Sequence, residues 1–125
     1  MSADEPGPIT LPRDASMAAY QMYIRELEAM HGWLDVDLVH NCFLMGEEVG
    51  ELFKAIRKVN RYYIEEREDG PATDRVSDVA EEIVDVFNYL LAIANRLNID
   101  LEAAFRAKNQ RNQLRTWNDQ APGSD

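Results

Sequence analysis

A chain of 125 residues with 13 basic and 23 acidic side chains, net charge −10, has the length of one domain and the wrong sign for a duplex nucleic acid or an anionic membrane surface. Its single cysteine, Cys42, excludes an intrachain disulfide and a cysteine-based zinc site. No apolar run approaches the roughly 18 residues of a membrane span, and Met1 to Pro12 is Pro-rich and acidic, unlike a signal peptide, so the expected setting is cytoplasmic.

Every periodic segment reads as helix, and no strand pattern or internal repeat is present. Residues 1–13 and 118–125 are expected to be loose tails from their Pro, Gly, Ser and Asp content, leaving one all-α domain over 14–117. The first helix is predicted over Asp14 to Met30, with Met17, Tyr20, Ile24 and Leu27 on one stripe and Gly32 as its stop. The second runs from near Asp35 to about Glu66 on a 4-3 stripe of Leu38, Cys42, Met45, Val49, Leu52, Ile56, Val59 and Tyr63, and ends at Asp69-Gly70-Pro71. A third spans Thr73 to Leu97 with Val76, Val79, Ile83, Val86, Leu90, Ala94 and Leu97 facing inward. The fourth opens at Asp100, an N-cap candidate, and continues to about Trp117. Together they imply a bundle of four main helices. A second helix of about 32 residues would be a rod of about 48 Å, against a radius of gyration of about 14 Å for a globule of this length. The rod is expected to overhang its own chain and bury its stripe on another copy, which predicts a homo-oligomer, a dimer or a dimer of dimers.

Two acidic motifs carry the chemistry. Glu47-Glu48-Val49-Gly50-Glu51 lies on the second helix and Glu81-Glu82-Ile83-Val84-Asp85 on the third. Spacing of three puts Glu48 with Glu51, and Glu82 with Asp85, on one face each. Wound at 100° per residue, Glu48 falls inside the apolar arc formed by Leu44, Leu52, Ala55 and Val59, where an uncompensated carboxylate is costly. Four carboxylates converging between two helices repel one another unless a hard divalent cation sits among them, and Mg²⁺ held this way usually also holds substrate phosphates. The alternatives are solvated helix faces or a Glu–Arg network. A di-iron site would want two Glu-x-x-His motifs, and only Glu28-Ala29-Met30-His31 fits. On the fourth helix, Lys108, Asn112 and Arg115 share a face with Arg111 beside them. That is either a phosphate clamp or a solvated face whose cations favour the helix dipole.

This ordered set resembles the MazG-like nucleotide pyrophosphohydrolases of the all-α NTP pyrophosphatase superfamily. The match runs over about residues 20–117: Glu-Glu-Val-Gly-Glu at 47–51, Glu-Ile-Val-Asp at 82–85 with Tyr89 four residues on, Asn98-Ile99-Asp100-Leu101-Glu102, and Lys108, Asn112 and Arg115. The resemblance implies a bundle completed by two or more chains and Mg²⁺-dependent cleavage of a ribo- or deoxyribonucleoside triphosphate to the monophosphate and pyrophosphate, with Mn²⁺ able to substitute, for nucleotide-pool housekeeping. It makes Glu48, Glu51, Glu82 and Asp85 the metal ligands, and Glu47 the carboxylate that orients or deprotonates water. It makes Tyr89, Lys108, Asn112 and Arg115 phosphate or sugar contacts, with Arg111 a further substrate-binding candidate from its place beside that face. It also makes His31 and Trp33 base contacts, as in the dCTP pyrophosphatase-like branch, with a pyrimidine deoxynucleotide favoured. Read structurally instead, Trp33 staples the first helix to the second and His31 is a helix C-terminal residue. Two features depart from the family pattern: Asn60 to Arg75 is longer than in many members, and Trp117 stands where relatives often have Tyr-Pro. Two other readings are a phosphoribosyl-ATP pyrophosphohydrolase and a non-catalytic helical adaptor with a structural metal.

Overall fold

A computed structural model describes residues 8–65 and 72–115. Among them lie four helices and no strand: α1 (Met17–His31), α2 (Leu38–Glu65), α3 (Ala72–Arg96) and α4 (Leu101–Leu114). The expected all-α class holds. None of these helices is long and apolar enough to cross a membrane. The expected Asp69-Gly70-Pro71 break and Trp117 lie outside the described residues.

Local chemistry sets the helix ends. Ser16 caps α1, its hydroxyl accepting from the Ala19 amide at 3.1 Å, so α1 starts three residues after the expected Asp14. At the other end Gly32 adopts φ 73°, with its N–H on Ala29 O and the Trp33 N–H on Glu28 O at 2.8 Å. This left-handed turn satisfies the last carbonyls and suits a residue without a Cβ. Asp37, not Asp35, caps α2: its Oδ1 accepts from the His40 amide at 2.7 Å. α3 ends in the same Schellman geometry with Asn98 at φ 54° and the Ile99 N–H on Ala94 O at 2.9 Å. Asp100 then caps α4, accepting from the Ala103 amide at 3.1 Å, as its position predicts.

α2 and α3 form the principal helix pair, α1 packs across α3, and α4 rests on α1. Ile24, Leu91 and Ala92 make the inner core, with Met17, Tyr20, Tyr23, Leu27 and Leu101 around them. Leu91 is 1% exposed, a burial that contributes about 1.5–3 kcal/mol. A buried amide ties three helices: Gln21 Nε2 donates to Asn95 Oδ1 and Ile99 O, its Oε1 accepts from the Leu101 amide, and Asn95 Nδ2 returns to Gln21 O at 2.8 Å.

The inward faces agree only in part with the expected ones. On α2, Leu38, Met45, Val49, Leu52 and Val59 of the expected stripe are half-buried, Cys42 and Ile56 are exposed, and Asn41, Leu44, Glu48 and Ala55 are buried or half-buried besides. On α3, the expected Val79, Val86 and Ala94 turn inward together with Glu82, Tyr89 and Ile93, while the expected Val76, Ile83 and Leu90, and Leu97 just past the helix, are exposed. The reason is that α2 and α3 each carry two apolar stripes. The chain packs one pair together and leaves the other on the surface.

Candidate functional site

The α2–α3 seam brings together Glu48, Glu82 and Asp85, whose carboxylate oxygens lie within 4.8 Å of one another. The arc that buries Leu44, Leu52 and Ala55 carries Glu48 down with them, so it is only partly solvated. Burial first, then the charges of Asp85 and Glu82, push its carboxyl above the ordinary carboxylate range of 4.5. Glu82 Oε2 is buried without a hydrogen-bond partner. An orphaned carboxylate oxygen beside two further carboxylates suits a hard cation with oxygen ligands, so the donor set fits Mg²⁺ or Mn²⁺. Glu47 and Glu51 are exposed and lie outside this group of three. Glu51 is still close enough to help raise Glu48, and Glu47 to help raise Tyr89.

Two of the three carboxylates, Glu48 and Asp85, line a cavity of about 440 Å³, and Glu82 lies beside them outside its lining. Ile24, Leu27, Val36, Leu44 and Ala92 give it apolar walls, and Glu28, Trp33, Asn41, Asn88 and Tyr89 supply its other lining groups. Burial and the charges of Glu48 and Asp85 raise the Tyr89 phenol above its usual 10, so at neutral pH it keeps its proton and can donate. Trp33 is 50% exposed and its indole stacks on the His31 ring, centroids 4.3 Å apart and planes 22° from parallel. His31 itself does not line the cavity.

The loop that carries Trp33 is pinned from α3. Arg96 makes a two-pronged pair with Glu28, Nη2 to Oε2 at 2.7 Å and Nη1 to Oε1 at 3.2 Å. The same guanidinium donates to Val36 O at 2.8 Å and Trp33 O at 3.1 Å, so α1, α3 and the α1–α2 connection meet at one side chain. Neither residue stands out as functional in the sequence. The available signal is Glu28 one turn beyond Ile24 on the apolar stripe of α1, the pattern that exposes Glu48.

The basic stripe is elsewhere. Lys108 and Arg111 are exposed on α4, Asn112 and Arg115 half-buried, and none of the four lines the cavity. Asn112 Nδ2 donates locally to Asn109 Oδ1 at 3.3 Å.

Residues 41–116 match the family model for the MazG nucleotide pyrophosphohydrolase domain. The chain belongs to that family. No curated protein and no solved structure matches it. The MazG region takes in α2, α3 and α4 and leaves out α1 and its connection, which supply Ile24, Leu27, Trp33 and Val36 to the cavity. Membership makes the chain a nucleotide pyrophosphohydrolase in general class, and its carboxylate group can hold a divalent metal.

The raised Glu48 carboxyl has a thermal signature in metal-free protein. A carboxyl that binds its proton more tightly folded than unfolded adds stability at low pH, and loses it as pH rises through the folded value. Lowering pH from 7 toward 5 is expected to raise the melting temperature of the wild type more than that of Glu48→Gln. Parallel pH curves from circular dichroism melts would refute this placement of Glu48.

Proposed function

We propose that this chain is a Mg²⁺-dependent pyrophosphohydrolase of nucleoside triphosphates, cleaving them to monophosphate and pyrophosphate. One observation carries it: a group of three carboxylates with an orphaned oxygen borders an apolar cavity walled by an indole. Glu48, Glu82 and Asp85 would hold the cation, with Glu51 as a further ligand from the same helix. A bound divalent ion would supply charge neutralisation for phosphate oxygens and a more acidic water. Glu47 would orient that water or take its proton. Tyr89 donates from its protonated phenol to a phosphate or sugar oxygen. Trp33 gives the base a stacking face, worth about 1–3 kcal/mol, and His31 backs that indole.

Lys108, Arg111, Asn112 and Arg115 stabilise charge on the leaving pyrophosphate, and in this reading they do so from a second copy of the chain. The exposed apolar stripes favour such a copy. Val39, Phe43 and Phe53 on α2 are exposed around Gly46 and Gly50, and exposed Val76, Ile83 and Leu90 repeat every seven residues on α3. A stripe of that kind is a seam for another helix. Light scattering at micromolar concentration is expected to return a dimer or a dimer of dimers; a folded 14.3 kDa monomer would refute the assembly.

The deciding experiment is a panel of NTPs and dNTPs with Mg²⁺, products resolved by ³¹P NMR. Monophosphate plus pyrophosphate is expected from at least one substrate, and none without Mg²⁺ or Mn²⁺. Orthophosphate plus a diphosphate would overturn the assignment. Turnover of phosphoribosyl-ATP alone would move the chain to that reaction. No turnover, with Mg²⁺ changing only stability, would leave a structural metal in an adaptor.

A further inference from the structure

Asn41 is 3% exposed, yet it lies on the cavity wall formed by α2. Its Nδ2 donates to Val36 O at 3.1 Å and to Asp37 O at 2.9 Å, which uses both amide protons. Those two carbonyls also fix which way the amide faces. Turned over, Oδ1 would meet two carbonyl oxygens and no donor. The remaining polar atom is therefore the oxygen, and no donor among the described residues reaches it. It is also not among the sealed orphan atoms of the described residues, and Asn41 lines the cavity, so we infer that this oxygen faces it. A fixed acceptor with no donor, in a mainly apolar wall, is costly unless something donates to it.

Its position says what that something is. Asn41 lies seven residues before Glu48 on α2, about 10.5 Å along the helix at the usual rise. A nucleotide with its phosphates at the carboxylates and its base toward Trp33 would bring the edge of the base to this wall. We propose that Asn41 is the residue that selects the base, its Oδ1 accepting an N–H from an exocyclic amino group. The favoured triphosphates then carry an amino-bearing base. Held in the same pose, the matching oxo base sets its carbonyl oxygen against Oδ1, because the anchored amide cannot rotate to offer a proton; its ring N–H, one position along the edge, meets Oδ1 only if the base shifts from its stacked place. This inference rests on the nucleotide reading above and adds a substrate class to it.

The test compares bases matched in size and stacking that differ along one edge, an exocyclic amino group beside a ring acceptor against an oxo group beside a ring N–H: dCTP with dUTP, and ATP with its hypoxanthine counterpart. Wild-type kcat/KM is expected to favour the amino member of the better pair by roughly 10- to 100-fold, since a buried polar group left unpaired discriminates strongly. Asn41→Ala is expected to bring the ratio to about 1, mainly by a fall on the amino member. Equal kcat/KM within both wild-type pairs, or a preference for the oxo member, overturns the role of Asn41 whatever the variant does. The substrate comparison needs no mutant, so it stands even if losing the two anchoring hydrogen bonds unfolds Asn41→Ala. Calorimetry with non-hydrolysable analogues of the same pairs separates the two claims. An amino preference in binding without turnover overturns the pyrophosphohydrolase reading and keeps Asn41. Turnover without preference overturns Asn41 and keeps the reaction, and absence of binding by all four analogues overturns both.

Discussion

Glu48→Gln, Glu82→Gln and Asp85→Asn are each expected to abolish turnover while leaving the protein folded, with metal-free stability unchanged or higher. The two halves come from the same geometry. Three carboxylates within 4.8 Å of one another are a ligand set for a hard cation, so losing one weakens metal binding and removes turnover. Without metal they repel one another, and an amide of the same shape relieves that repulsion. A residue conserved in shape but neutral thus separates function from folding. The measurement pairs steady-state rates at saturating Mg²⁺ with thermal melts in chelator. A near wild-type rate in any of the three removes that residue from the ligand set. A metal-free melting temperature several degrees lower would mean that the carboxylate supports the fold instead.

The sequence made the end of α1, the start of α4 and the carboxylates legible for a common reason: each has a local cause. Gly32 and Asp100 act within one turn of their own helices. Glu48 stands out because a charge inside an apolar arc needs an explanation wherever the arc points. The facing of the arcs is different. α2 carries two apolar stripes, one through Asn41, Leu44, Glu48, Leu52 and Ala55, the other through Val39, Phe43, Gly46, Gly50 and Phe53. Periodicity identifies a helix with apolar faces, but not which face meets its own chain, because both repeat at the helical period. The same ambiguity turns Val76, Ile83 and Leu90 of α3 outward.

The cavity was the least legible part. Arg96 meets Glu28 across 68 positions of chain, and Asn41 becomes an oriented acceptor only because the turn before α2 supplies two carbonyls to its amide. Neither arrangement has a signature in residue spacing. Trp33 was legible as a candidate, and its place on the cavity wall depends on the Gly32 turn and the Arg96 anchor together.

Lys108→Ala and Arg115→Ala are each expected to slow turnover by roughly 10- to 1000-fold, as each removes a charge-stabilising contact of about 1.5–4 kcal/mol. The position of α4 makes the manner of that loss informative. α4 rests on α1, and none of its cations lines the cavity of its own chain. If the stripe acts from a second copy, two slow variants can repair each other. A mixed oligomer of Asp85→Asn and Lys108→Ala subunits contains sites built from the intact carboxylates of one chain and the intact stripe of the other. In a twofold dimer formed from equal amounts, half the molecules are mixed and one of their two sites is whole, so about a quarter of the wild-type rate returns. Recovery on co-refolding, absent when either variant is refolded alone, supports a stripe acting between chains. No recovery from two slow variants would place the stripe in its own chain's site and require α4 to move toward the α2–α3 seam. Wild-type kinetics in both Lys108→Ala and Arg115→Ala would make the stripe a solvated face and leave the leaving pyrophosphate to the metal alone.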